Sequence, residues 1–296
     1  MSERDFLQRI VFEDINARAV YVDLDTVVAE VLARESYPDT VARLLAQALL
    51  VAAAMSSGIK FRGRVSLQLQ GGGALKLLVA DCTDEGGMRA IARLRDGAKA
   101  PDDPASLWAM LGESGVLTLT LEPSDGGQRW QGIVPLEGSG LDQAIEGYFR
   151  RSEQLETRLR LAAADGRARA ILIQQMPASS AVAADEDGWN RLQHLLATVA
   201  ASELLETPGG DLLDRLFHAE QRRVFPAKVL HFHCPCSRER VMALLGNLGA
   251  AELAGLFQIQ EVVEVRCQFC NQAYNFTQQD MGELIESAAP GSDSLH

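Results

Sequence analysis

Two segments decide the fold of the C-terminal part of this chain: Cys234-Pro235-Cys236 and Cys267-Gln268-Phe269-Cys270. Two close pairs of cysteines supply four thiolates, the ligand set of a tetrahedral zinc ion with Zn–S distances of about 2.3 Å. A segment of this size buries too small a core to fold alone, and zinc supplies the missing folding free energy. The spacing therefore predicts a C-terminal domain over residues 228–296 that holds one zinc ion through Cys234, Cys236, Cys267 and Cys270.

Other interpretations of these cysteines stay open at this point. The four thiols could be unliganded, or Cys267 and Cys270 could form the dithiol of an oxidoreductase. A zinc ribbon that serves as a nucleic-acid or protein adaptor has similar cysteine pairs. His231 and His233 precede the first pair and could replace one sulfur ligand, although four cysteines already complete the coordination shell. Cys82 has no partner motif, which indicates a small buried or surface residue.

The apolar pattern of residues 1–177 predicts an α+β domain. Val41 to Met55 places apolar residues on one face of a helix. Alternating apolar and polar residues predict three antiparallel hairpins, over residues 64–79, 117–134 and 155–174. A further helix is predicted from Leu141 to Phe149. The fold class that follows is an antiparallel sheet with helices in the N-terminal domain, then a helical linker, then the small zinc-binding domain.

The segment 178–227 is predicted to be the linker. It opens with small and acidic residues, and Thr207-Pro208-Gly209-Gly210 separates two short helical patterns. Short helices of this kind are marginal by themselves and need a surface to cover their apolar faces. We expect those faces to be the candidate client-binding surface, formed by Leu192, Leu195, Leu196, Val199, Leu212, Leu213, Leu216 and Phe217.

Composition narrows the possible functions. The formal net charge is −12, and such a surface repels nucleic-acid backbones and anionic membranes. The apolar run from Leu44 to Met55 is too short to span a bilayer, and Met1 to Arg9 has no apolar core typical of a signal peptide. We therefore expect a cytoplasmic protein without nucleic-acid or membrane partners. Nucleophile-elbow, zinc-protease and phosphate-loop motifs are all missing from the sequence, which favours a protein that is not an enzyme.

The cysteine segments resemble those of one known family. His233 to Arg240 (HCPCSRER) and Cys267 to Phe276 (CQFCNQAYNF) are similar to the heat-shock protein 33 family of redox-regulated chaperones. Three further stretches resemble that family: residues 60–78, 148–155 and 213–218. The resemblance covers nearly the whole chain and includes all four cysteine positions.

The resemblance implies a mechanism as well as a fold. The reduced protein would hold one zinc ion per chain and would be inactive. Oxidation by peroxide or hypochlorous acid would release zinc and form the disulfides Cys234–Cys236 and Cys267–Cys270. The zinc domain and the metastable linker would then unfold and hold unfolding client proteins without ATP. The oxidised form would be a homodimer.

Overall fold

The computed structural model describes residues 5–58, 62–99, 101, 107–177, 185 and 187–282. The chain divides into two compact units, Met1–His233 and Cys234–His296. The division falls between His233 and Cys234, whereas the predicted C-terminal domain begins at Lys228. The helices of the predicted linker lie in the first unit, and the three-part division with a metastable linker stays a prediction.

The first unit contains twelve strands and seven α-helices among its described residues. In chain order these are β1 (Phe6–Phe12), β2 (Ala17–Leu24), α1 (Thr26–Leu32), α2 (Asp39–Ser56), β3 (Gly63–Gln70), β4 (Leu75–Thr83), β5 (Gly87–Leu94), α3 (Leu107–Leu111), β6 (Val116–Pro123), β7 (Trp130–Pro135), α4 (Leu141–Tyr148), β8 (Thr157–Ala164), β9 (Arg167–Gln175), α5 (Gly188–Ala197), α6 (Ala201–Glu206), α7 (Gly209–Phe217), β10 (Arg223–Val224), β11 (Lys228–Val229) and β12 (His231–Phe232). A short π-helix, Phe149–Glu153, follows α4.

The strands form two six-stranded sheets. The first sheet has the order β10-β1-β2-β9-β8, with β11 also paired to β1, and all its pairs are antiparallel. The second has the order β12-β5-β4-β3-β6-β7, and only β12 runs parallel to its neighbour. The three predicted hairpins are β3–β4, β6–β7 and β8–β9, and the predicted α+β class is confirmed.

Helix α2 packs against strands of both sheets, so the main core surrounds it on several sides. Its many alanines, including Ala48, Ala52 and Ala53, are buried and let the strands approach closely. By length and composition alone α2 could cross a membrane, contrary to the prediction that its apolar run is too short. Because 67% of its apolar window is buried inside the protein, α2 is a core helix of this fold.

The first sheet is covered on both faces. Val20 and Val22 of β2 belong to the main core with α2, while Ala19 and Tyr21 belong to a second apolar cluster on the opposite face. That second cluster is completed by side chains from α5, α6 and α7. The predicted break Thr207-Pro208-Gly209-Gly210 is shorter than expected, because α6 ends at Glu206 and α7 already begins at Gly209.

The second unit is small. Its described part contains α8 (Arg238–Gly246), α9 (Ala250–Ile259) and the hairpin of β13 (Val262–Arg266) with β14 (Ala273–Thr277). The fully buried apolar side chains of its core are only Val241, Leu253, Phe276 and Met281 among the residues described. The apolar residues Met281, Leu284 and Ile285 predict a last helix, and its positions after Gly282 lie outside the described residues. So small a core needs a further source of folding free energy.

Candidate metal centre and linker face

The four cysteines lie at the edges of the elements of the second unit. Cys234 and Cys236 precede α8, which begins where the Ser237 side chain accepts a hydrogen bond from the Arg240 backbone N–H, as predicted for an N-cap. Cys267 follows β13, and a tight turn returns the chain to β14. In that turn the Asn271 N–H donates to the Cys267 carbonyl at 2.9 Å, and Asn271 is left-handed with φ 59°.

These elements bring the four sulfur atoms together. Each sulfur lies within 4.8 Å of the other three. The Sγ–Sγ distances are 3.7 Å between Cys234 and Cys267 and 3.2 Å between Cys236 and Cys270. A tetrahedral ion with Zn–S bonds of about 2.3 Å places its sulfurs ~3.8 Å apart, so the four thiols fit such an ion. None of the four is in a disulfide.

The hydrogen bonds around the sulfurs favour the thiolate form of one cysteine, Cys236. The Tyr274 hydroxyl donates to Cys236 Sγ at 3.2 Å. Desolvation raises the pKa of Cys236, but the hydrogen bonds from Tyr274 and from neighbouring thiols outweigh it and lower the pKa to about 7. Desolvation and the neighbouring sulfurs raise the pKa of Cys270. Because like charges repel, four thiols this close cannot all ionise without a nearby cation, and a bound metal ion would supply that positive charge.

Two arginines stabilise the loop that carries the first pair. Arg240 donates to the Pro235 carbonyl at 2.6 Å. Arg238 pairs with Asp280 at 2.8 Å and lies 4.5 Å over the ring of Phe276. Thr277 followed three residues later by Asp280 predicts a capping box, and it is present: the Thr277 N–H donates to the Asp280 carboxylate and the Asp280 N–H donates back to Thr277 Oγ1. The metal-ligand candidates are thus fixed to the small core of the second unit.

The remaining thiol and imidazole groups lie elsewhere. His231 is in β12 and His233 follows it, both exposed, and the cluster of possible metal ligands contains only the four cysteines among the described residues. Cys82 is fully buried in β4 beside Ser56, with its sulfur 3.4 Å from the Ser56 hydroxyl oxygen. Burial raises the pKa of Cys82 to about 11, so it is a structural residue with little thiolate character.

The predicted linker side chains cover the outer face of the first sheet. We call this surface the linker face. It consists of the buried residues Trp189, Leu192, Leu196, Val199, Leu204, Leu212, Leu213, Leu216 and Phe217. Leu195 is only partly buried against it. The ring of Phe217 meets Phe12 of β1 edge-on, with centroids 5.1 Å apart. Of these residues, Trp189 and Leu204 were missing from the prediction. Leu204 lies in the short helix α6 that the pattern did not reveal.

A half-buried arginine joins the linker to the sheet. Arg169 of β9 donates from Nη1 to the backbone carbonyls of Leu204, Leu205 and Thr207, at 3.3, 2.6 and 2.9 Å. Its guanidinium lies 3.0 Å from the carboxylate of Asp23. These carbonyls end helix α6 and have no partner in the helix, so a cation there is stabilising. No local sequence signal relates Arg169 to α6, and sequence reasoning missed it.

Helix α7 approaches the sheet through a glycine. A Cβ atom placed on Gly209 would lie 2.4 Å from Tyr21 Cε1 and 2.7 Å from Tyr21 Oη. Only the missing side chain therefore allows the start of α7 to contact the ring of Tyr21. At Gly210 an added Cβ would meet no described atom within 4 Å. The two neighbouring glycines thus have different roles, which sequence alone does not distinguish.

Comparisons with known proteins match nearly the whole chain. The family model described as Hsp33 protein matches residues 5–277. A "33 kDa chaperonin" of Chromobacterium violaceum is 42% identical over 97% of this chain and 95% of that protein. A "33 kDa chaperonin" of Pseudomonas paraeruginosa is 41% identical over 97% of each. The crystal structure of the 33 kDa chaperonin of Thermotoga maritima has the same fold, with a TM-score of 0.81 at 22% identity over 96% of this chain and 98% of that one.

Proposed function

The chain belongs to the Hsp33 family of chaperones, and on that premise we propose that it is a redox-regulated, ATP-independent holdase for unfolding proteins. The observation that carries the proposal is the group of four cysteine sulfurs within 4.8 Å of one another, none of them in a disulfide, in a unit with a very small core. If the folded state of this unit depends on a metal held by thiolates, an oxidant that converts the thiolates to disulfides will unfold it. We propose no enzymatic activity, and the relatives are named chaperonins.

The cofactor of the reduced state is proposed to be one zinc ion per chain. Cys234, Cys236, Cys267 and Cys270 would hold it. The bound ion would keep the thiolates deprotonated and contribute folding free energy to the second unit. Its closed set of four sulfur ligands leaves no open position for a substrate, which is typical of a structural site rather than a catalytic one.

Oxidation is proposed to act on the cysteines in two pairs. The pairs are Cys234 with Cys236 and Cys267 with Cys270. Each pair loses two electrons and forms one S–S bond. For each pair one molecule of peroxide accepts the electrons and becomes water. The sulfurs of a disulfide are no longer thiolate ligands, so the second unit loses both its metal site and the folding free energy that goes with it.

The chain itself connects the metal centre to the linker face. Between Phe217 and Cys234 lie only the strands β10, β11 and β12, each of two residues. Short edge pairs of this kind open at low free-energy cost. Helices α5, α6 and α7 contain 10, 6 and 9 residues, and isolated helices of these lengths are marginal. We propose that opening of the second unit spreads along the chain to these helices.

Exposure of the linker face would create the client-binding surface. Its side chains are aliphatic and aromatic, and the sheet residues that they cover, such as Phe12 and Tyr21, are apolar as well. Large exposed apolar surfaces bind the apolar segments of unfolding chains. Such binding needs no nucleotide. A homodimer of the oxidised form, a cytoplasmic location, and the absence of nucleic-acid and membrane partners belong to the same proposal.

The proposed function is tested by aggregation of a heat-unfolding client, followed by light scattering. Protein kept reduced with zinc is expected to leave the aggregation unchanged. Protein oxidised with peroxide is expected to suppress it at near-stoichiometric amounts, without ATP, and dithiothreitol with zinc is expected to reverse the effect. Equal suppression by the reduced and the oxidised protein would contradict redox regulation.

The disulfide pattern reports when the centre opens during oxidation. In the assembled centre the short sulfur contacts run across the pairs, Cys234 to Cys267 and Cys236 to Cys270. Oxidation of that rigid arrangement would give crossed bridges that join residues 33 and 34 positions apart. After opening, each sulfur meets its sequence neighbour first, because the shortest loops close most readily.

Peptide mapping of the peroxide-oxidised protein is therefore expected to give Cys234–Cys236 and Cys267–Cys270. A matched sample, stripped of metal and oxidised in urea, is expected to give the same pattern. Dominant crossed bridges in the native sample, with neighbour bridges in urea, would contradict the proposed pairing of each cysteine with its sequence neighbour.

Two glycine variants test whether α7 must leave the sheet. Gly209→Ala places a methyl group into the ring of Tyr21, and overpacking of this kind costs about 1–3 kcal/mol. Gly210→Ala adds the same methyl group in open space and changes helix propensity by at most about 1 kcal/mol, in the favourable direction. We expect faster amide exchange over residues 209–217 and partial holdase activity while reduced for Gly209→Ala only. Indistinguishable variants would contradict this role of α7.

A further inference from the structure

A cavity in the first unit lies apart from both the cysteines and the linker face. It has a volume of about 330 Å³, within the range of small-molecule sites. Its lining comes from α2, from both sheets and from the π-helix, and most of that lining is apolar. Leu119 and Leu121 of β6 form one wall, and Leu172 of β9 and Met55 of α2 form others. A ligand in this cavity would contact α2 and strands of both sheets at the same time.

Aromatic rings form the outer wall of this cavity. Trp130 of β7 is 40% exposed, although tryptophan is among the largest apolar side chains. Its ring meets Tyr148 edge-on with centroids 6.4 Å apart, and Tyr148 meets Phe149 in the same way at 5.4 Å. Gly132 makes room for this arrangement, since a Cβ there would lie 2.9 Å from the Trp130 ring. Such a wall favours a flat aromatic ligand.

An arginine lies on the inner side of the cavity without a carboxylate partner. Arg18 of β2 donates from Nε and Nη2 to the Gln174 side-chain oxygen, at 3.0 and 2.6 Å. Gln174 is held in turn by its bond to Thr157 at 2.9 Å. Among the described residues the only side-chain acceptor of Arg18 is Gln174, which leaves Arg18 Nη1 without an acceptor there. Nη1 and the second N–H of Nη2 are therefore available to donate two parallel hydrogen bonds to a carboxylate. We call this pair of donors the Arg18 fork.

The backbone leaves space at this fork. Gly58 follows α2, and a Cβ atom there would lie 3.2 Å from Arg18 Nη2 and 3.4 Å from Nη1. Glu153 also lines the cavity but is exposed, and it already accepts a hydrogen bond from the Tyr148 hydroxyl at 3.1 Å. A second negative charge on a ligand would be repelled by Glu153, so the cavity favours one charge over two.

From these features we propose that the cavity of Arg18, Trp130 and Tyr148 binds a small aromatic monocarboxylate. The carboxylate lies on the Arg18 fork and the ring lies among Met55, Leu119 and the aromatic wall. This site is independent of the redox mechanism proposed above. Because the ligand contacts both sheets and α2, binding stabilises the folded first unit, and this stabilisation grows with the logarithm of ligand concentration over dissociation constant.

The test uses the full-length, reduced and zinc-loaded protein, with 2-naphthoate as the probe. Isothermal titration is expected to show that 2-naphthoate binds at least about tenfold more tightly than the neutral 2-naphthamide, and more tightly than 2,6-naphthalenedicarboxylate. The indole N–H resonance that Trp130→Leu removes is expected to shift on titration. The melting temperature of the first unit is expected to rise with 2-naphthoate.

Variants separate the charge from the cavity. Arg18→Gln is expected to weaken 2-naphthoate at least about tenfold and to leave 2-naphthamide unchanged, while Arg150→Gln, at an exposed arginine outside the cavity, is expected to change neither. Should Arg18→Gln fail to fold, Trp130→Leu, at an exposed ring, carries the test, and it is expected to weaken both ligands. Equal affinity for the acid and the amide, no binding at millimolar probe, or an unshifted Trp130 resonance would overturn the proposal.

Discussion

Replacing Leu196 by glutamate is expected to give a protein that suppresses client aggregation while it is still reduced and zinc-loaded. Leu196 is 1% exposed in the linker face, so the change removes a buried leucine, which alone costs about 2–5 kcal/mol. The carboxylate must in addition lose its water or leave the sheet. Since α5 has only 10 residues, we expect the helix to leave the sheet and expose the apolar surface.

The neighbouring residue supplies the matched control. Ala197 is exposed in the same helix, so Ala197→Glu adds the same charge without entering the apolar cluster. The measurements are zinc content, amide exchange over residues 188–217, and light scattering of a heat-unfolding client in reducing buffer. If Leu196→Glu keeps its zinc and exchanges faster, yet leaves aggregation unchanged, exposure of the linker face is not the activating event.

The second large effect is expected at the metal centre. Cys267→Ser is expected to lose zinc and the folded structure of the second unit, while the first unit stays folded. Loss of an outer partner of a metal ligand costs about 10–100-fold in affinity, and loss of the ligand itself costs more. The core of the second unit, with Val241, Leu253 and Phe276 among its few buried side chains, cannot replace that free energy.

Elemental analysis and nuclear magnetic resonance measure this loss. Reduced wild-type protein is expected to hold one zinc per chain, and Cys267→Ser far less, with collapse of the resonance dispersion of residues 238–277. Cys82→Ser is the control for removal of a thiol as such, because Cys82 is buried in the first unit. The interpretation is wrong if Cys267→Ser retains a full zinc ion.

The alternation of polar and apolar residues predicted β3, which buries one face, and missed β2, which buries both. β3 alternates buried and half-buried residues along its length, and its hairpin with β4 was predicted. β2 was not, because the main core covers one of its faces and the linker helices cover the other, which removes the alternation of polar and apolar residues. β1 and β5 were missed as well. In the sheet that supports the linker face, local pattern therefore predicted the hairpin β8–β9 but not β1 and β2.

In the candidate site, too, features formed by residues near in sequence could be predicted, and contacts between distant residues could not. The four cysteines and both helix caps of the second unit follow from spacing, since each involves residues near in sequence. The contacts of Arg169 with the end of α6, and of Gly209 with Tyr21, join residues far apart in sequence. The bond from Tyr274 to Cys236 crosses 38 positions. Such contacts depend on the tertiary fold, and no periodicity or motif in the sequence encodes them.

The central claim is that the four-cysteine centre controls chaperone activity, and one measurement tests it most directly. Reduced, zinc-loaded protein is mixed with peroxide and a heat-unfolding client, and zinc release to a chromogenic chelator is recorded together with light scattering. We predict that aggregation stops only as zinc is released, with about one zinc per chain at full activity. Suppression of aggregation before any zinc is released, or complete zinc release with no suppression, would contradict the account.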